Sequence, residues 1–133
     1  ELKSFPKAIE IFSAILKKNP ESDRVRYYLG SVYEENKNYP EAIAELRQIP
    51  VDSKLFPDAV LHSAFLLKAT GDRPGALAFL KESLQRSPRQ ADFYVFQASL
   101  QEESGDITAA IDSLEKGVGI FPENEKIRYY LGS

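Results

Sequence analysis

Arg26-Tyr27-Tyr28-Leu29-Gly30-Ser31 returns unchanged as Arg128-Tyr129-Tyr130-Leu131-Gly132-Ser133. The copies stand 102 residues apart, from position 26 to position 128, which is three times 34. An identical return at a multiple of a known helical-repeat length marks a chain built as an array of one supersecondary unit.

The same step of 34 organises the residues around that stretch. From Ala8 it lands on Ala42, Ala76 and Ala110; beside them run Ile9, Ile43, Leu77 and Ile111, then Phe12, Leu46, Leu80 and Leu114. Each set is apolar at i, i+1 and i+4, which is one face of an amphipathic helix. The small residue lets a neighbouring helix approach, and the larger pair fills the space beside it. Pro6, Pro40 and Pro74 mark helix starts, where a fixed φ is tolerated and no N–H is needed; the fourth unit has Thr108 there. Lys37-Asn38, Gly71-Asp72 and Gly105-Asp106 supply the turn before each start. Pro20, Pro88 and Pro122 close the second helix of their units, and new helices begin near Asp23, Pro57, Ala91 and Glu125.

The spacing therefore predicts an all-α chain. A lone helix at about 5–18 comes first, as the second helix of a truncated repeat filling residues 1–22. Full helix-turn-helix units follow at 23–56, 57–90 and 91–124, and a further repeat starts at 125–133. No linker interrupts them, so residues 1–133 read as a single domain. Pro50 interrupts the second helix of the first full unit, where Val51-Asp52-Ser53-Lys54-Leu55-Phe56 is expected to replace the last turn.

This pattern resembles the tetratricopeptide-repeat (TPR) family over essentially the whole chain. The family's first-helix Leu-Gly pair, with an aromatic three residues on, stands here as Leu29, Gly30 and Tyr33; its second-helix alanine occurs in all four copies and its closing proline in three. The resemblance implies a right-handed superhelical solenoid of antiparallel helix pairs, about three full repeats with an unpaired helix at each end. The chain departs from the family at its tryptophan position, which holds Arg26, Val60, Tyr94 and Arg128. It departs again at Gln97 and Gln101, where Leu and Tyr are usual and looser packing is expected.

Composition excludes several functions. The chain has 133 residues, 43% hydrophobic and 28% charged, with a formal net charge of −3. An acidic balance offers no field for neutralising phosphates, so nucleic acid is not the expected ligand. No apolar run approaches the roughly 20 residues of a membrane-spanning helix. Without cysteine there is neither a disulfide nor a thiolate metal site. The opening Glu1-Leu2-Lys3, in a sequence without methionine, reads as a segment of a longer polypeptide. His62 is the single histidine and adjoins Ser63, but adjacent helical residues point about 100° apart and cannot form a nucleophile–base pair. It is read as a surface or half-buried histidine. Glu34-Glu35 and Glu102-Glu103 have no histidine near them in the pattern, and no convergent metal ligands or phosphate loop occur. No catalytic residue, metal or cofactor is expected.

In the resembled family the first helices line a concave face. Carried over, the stripe is Arg24, Tyr27, Ser31, Glu34 and Glu35 in the first full unit. Its equivalents are Asp58, Leu61, Phe65, Lys68 and Ala69 in the second, and Asp92, Val95, Ser99, Glu102 and Glu103 in the third, with Lys126, Tyr129 and Ser133 beyond. Spacings of three and four put each set on one helix face. Phe56 is added from the irregular corner. The middle of this face is apolar and its flanks are acidic, six carboxylates against three basic residues. Such a face suits a protein or peptide partner with apolar anchors and some Lys or Arg. The family's clamp for chaperone C-terminal carboxylates uses groove Lys, Asn and Arg; Tyr27, Ser31, Leu61 and Phe65 do not match it. The expected function is thus a non-catalytic scaffold that holds a partner segment in its concave groove. The alternatives are head-to-tail self-association through open terminal helices (Ala8, Phe12 and Ile15 at one end, Leu131 at the other) and a regulatory domain of a larger protein.

Overall fold

The computed structural model describes residues 4–132, with side chains as far as Tyr129. Eight helices follow one another among them: α1 Phe5–Lys18, α2 Asp23–Glu35, α3 Tyr39–Leu46, α4 Phe56–Ala69, α5 Arg73–Arg86, α6 Ala91–Glu103, α7 Ile107–Ile120 and α8 Glu125–Gly132. The described chain is all-α. It divides into two compact units, one up to Gly71 and one from Asp72 onward.

The helix starts are set by local chemistry. Proline stands in the first turn of α1, α3, α4 and α5, where its missing N–H leaves no intrahelical bond unmade. Asp72 accepts the Gly75 N–H at 2.9 Å, Asp106 accepts that of Ala109 at 3.1 Å, and Ser22 accepts that of Val25. Each satisfies one orphan donor of a first turn. The turns between paired helices repeat as well. Lys37, Gly71 and Gly105, at matching steps of the repeat, all take positive φ (63°, 93° and 85°). Glycine bears this conformation without strain, and Lys37 adopts it against its own Cβ.

In the first unit α2 packs on α1 and α3, and α3 on α4. Its core gathers Ala42, Ile43, Leu46, Ile49, Ala59 and Leu66, flanked by Tyr27, Tyr33, Tyr39, Leu55 and Leu67. Gly30 is the close-approach point, since a Cβ there would lie 3.0 Å from Leu46 Cγ. Arg26, at the family's tryptophan position, works by hydrogen bonding. Its guanidinium reaches Glu45 Oε1 at 2.9 Å, Gln48 Oε1 at 3.1 Å and the Pro20 carbonyl at 2.8 Å, tying α2 to α3 and to the preceding turn.

The corner around Pro50 is larger than the sequence reading has it. α3 stops at Leu46, ahead of Pro50. Pro50 has no N–H for the Leu46 carbonyl and disfavours helix at the residue before it. The chain instead tightens into i→i+3 turns, Gln48 N–H to Glu45 O and Ile49 N–H to Leu46 O, both at 3.2 Å. Ile49 is pressed into the core, and Phe56 opens α4 as a buried residue, 3% exposed.

In the second unit α6 packs on α5, α7 and α8, and α7 also on α8. Ala98, Ala110, Leu114 and Ile127 form its core, with Ala91, Val95, Val118 and Phe121 against them. Gly117 lets α7 meet its neighbours, because a Cβ there would lie 3.0 Å from Ile127 Cδ1 and 3.2 Å from Tyr94 Cβ. The apolar triads are buried as the spacing predicts at Ala42, Ala76, Ala110, Leu46, Leu80 and Leu114. Ile111 departs from this at 47% exposure.

Candidate functional site

Within the first unit the predicted stripe lies on α2 and α4. Tyr27 and Ser31 sit one turn apart on α2, and the Ser31 hydroxyl donates to the Tyr27 carbonyl at 3.1 Å. Arg24 is exposed near the start of the helix, and Glu34 half-buried near its end. On α4, Leu61 is half-buried, and Phe65, one turn on, is 53% exposed; Lys68 is half-buried beyond them. Phe56 does not join this face. Its burial makes it core, because the turn after Pro50 folds it inward as the first residue of α4.

His62 belongs to the site although the sequence reading left it aside. Its Nε2 pairs with Glu34 Oε1, joining α4 to α2. Its ring lies 6.1 Å from that of Tyr27, tilted by 45°. The sequence reading finds no histidine near Glu34-Glu35, and the packing of α4 beside α2 corrects this. Burial pushes the Tyr27 phenol above its ordinary value, and the neighbouring charges of Asp58 and Glu34 push it further in the same direction. The neutral phenol is therefore the form the folded state prefers. Its stabilisation is fully present below the unfolded value of about 10 and is lost as the pH rises through the folded value. Urea titrations at pH 8 and at pH 11 should then show the wild type losing more stability over that interval than Tyr27→Phe. Parallel losses would contradict the assignment.

In the second unit Val95, Ser99 and Glu102 share one side of α6. Val95 leans on the core, Ser99 is half-buried and Glu102 exposed. Lys126 of α8 reaches Asp92 of α6 at 3.4 Å, so equivalent positions of successive units touch. Tyr129 is 72% exposed on α8. The expectations for Leu131 and Ser133 lie outside the described side chains. Among the described residues no group of three or more His, Cys, Asp or Glu could hold a metal, and no helix is long and apolar enough to cross a membrane.

One tetratricopeptide-repeat family model matches residues 1–54 and a second matches residues 66–125. The chain belongs to the tetratricopeptide-repeat family. Comparison with curated protein sequences gives no match. Among solved structures, the TPR chain resembles the crystal structure of MamA with a TM-score of 0.69 and 21% identity, over 96% of this chain and 75% of that one. It resembles YrrB, described as a TPR protein with an unusual peptide-binding site, with a TM-score of 0.66 and 18% identity, over 97% of this chain and 66% of that one. These likenesses establish the helical-repeat solenoid fold. TPR domains are in general interaction scaffolds, and the repeats place this chain in that class.

Proposed function

We propose that this TPR chain is a non-catalytic scaffold that binds a peptide segment or helix of a partner protein on the α2–α4 face. The observation that carries the reading is Phe65. A phenylalanine more than half exposed, with Leu61 one turn before it on the same helix, is an apolar anchor site that α4 does not need for its own packing. Along the stripe of α2 and α4, Glu34, Glu35 and Asp58 stand against Arg24 and Lys68, a slight negative balance that favours a partner carrying Lys or Arg beside its apolar anchors. A peptide-binding TPR structure of similar fold supports the mode of binding. Lys68 is proposed to extend this contact along α4, and in the second unit Val95, Ser99, Glu102 and Tyr129 are proposed as partner contacts of their own.

Selection of displayed random 12-residue peptides against the immobilised protein tests the reading. Enriched sequences should combine one or two aromatic or aliphatic residues with Lys or Arg, and should be lost when Leu61→Asp is the bait. Enrichment that is indifferent to that change would overturn it.

A second reading, self-association, rests on α1. None of its described residues is fully buried, and Ile11 and Ile15 stand exposed one turn apart. Light scattering over a concentration series should then show a rising mass, and a constant monomer mass rejects it.

A further inference from the structure

The side of α6 turned away from Val95, Ser99 and Glu102 borders a cleft of about 390 Å³ between α5, α6 and α7. That volume falls at the lower end of the range for small-molecule sites. Its floor is polar. The buried Ser113 hydroxyl lies 3.1 Å from Gln97 Oε1 and 2.7 Å from Gln101 Oε1. One hydroxyl proton thus faces two amide carbonyls, and both side-chain NH2 groups are left without a partner among the described residues. These NH2 groups line the open cleft, where a ligand can accept from them in place of solvent.

The rest of the cleft agrees in sign. Lys116 lies on α7, where Asp112 holds it at 3.3 Å, and Lys81 on α5 has no ion pair among the described residues. The Tyr94 phenol is already engaged, donating to the Pro88 carbonyl at 2.9 Å. Leu84 supplies an apolar wall. Donors outnumber acceptors, a cation stands at the side, and one wall is greasy.

We propose that this α5–α6–α7 cleft is a second binding site, for a carboxylate carried on a short apolar body. The carboxylate oxygens accept from the Gln97 and Gln101 amides and sit near Lys81, while the apolar body lies along Leu84. Such a group comes either as a free small acid or as the C-terminus of a peptide. The site is independent of the α2–α4 face, because it uses the opposite side of α6 and no residue of the first unit.

Titration of the 15N-labelled protein with hexanoate, with hexanamide, and with acetyl-Gly-Gly-Leu in acid and amidated forms tests this. The side-chain amide resonances of Gln97 and Gln101 should move saturably with hexanoate if the source is a free acid. They should move with the peptide acid, and more tightly than with hexanoate, if the source is a C-terminus. In both cases the neutral amides should leave them in place. Lys81→Met, an exposed substitution, should weaken the binding roughly three- to tenfold. Gln97→Glu, nearly isosteric and still able to accept from Ser113, should abolish it by repulsion; should that variant not fold, Lys81→Met decides alone. No saturable shift with either acid, equal shifts with the neutral amides, or binding untouched by Lys81→Met would overturn the proposal. Phe65→Ala should leave these titrations unchanged, so failure here and failure of the α2–α4 reading are separately visible.

Discussion

Leu46→Ala should lower the unfolding free energy by about 2–5 kcal/mol, read as a shift of the urea midpoint followed by far-UV circular dichroism. Leu46 is 1% exposed at the centre of the first unit's core, among Ala42, Ile43, Ile49, Ala59 and Leu66. Its removal leaves a cavity whose walls are held by helices on both sides, so relaxation recovers little. The sharper result concerns Gly30. A methyl group there would lie 3.0 Å from Leu46 Cγ and 3.1 Å from Cδ2, tighter than most carbon contacts. Gly30→Ala alone sets an overpacking cost of about 1–3 kcal/mol, because Leu46 is held by the core and has little room to give, against about 1 kcal/mol gained in helix propensity. The double variant should be less destabilised than the two losses added, because Leu46→Ala removes the atoms that the new methyl would strike. A coupling of about 0.5–3 kcal/mol is expected for residues in direct contact. Strict additivity would mean that Gly30 is not there to admit Leu46.

The step of 34 made most of this fold legible, because each position it marks has a local physical role. Ala42, Ala76 and Ala110 are buried where helices close on one another, and Lys37, Gly71 and Gly105 all turn through positive φ. What the step could not give are contacts that depend on how one unit's helix lies beside the next. Glu34 and His62 occupy different positions of their units, so no periodic reading pairs them; the packing of α4 beside α2 does. The extent of the Pro50 corner was illegible for a similar reason. Proline announces that a helix must end, and whether it ends four residues early depends on Ile49 finding the core. Phe56 follows from that corner: its place in the sequence points to the concave surface, and the turn folds it into the core instead. Gln97 and Gln101 were visible as departures from the family. Their pairing with Ser113 needed α7 set against α6.

Phe65 carries the central claim, that the α2–α4 face holds a partner. At 53% exposure its truncation removes little packing, so Phe65→Ala should change stability by no more than about 0.5 kcal/mol. Its effect on binding should be much larger. An aromatic anchor that becomes buried on association typically contributes about 1–3 kcal/mol when truncated, which corresponds to roughly a 5- to 150-fold loss of affinity. The direct measurement is isothermal titration calorimetry of one enriched peptide against wild type and Phe65→Ala, with both melting temperatures taken alongside. The account predicts a Kd weakened within that range at an unchanged melting temperature. An unchanged Kd with the fold intact would contradict it.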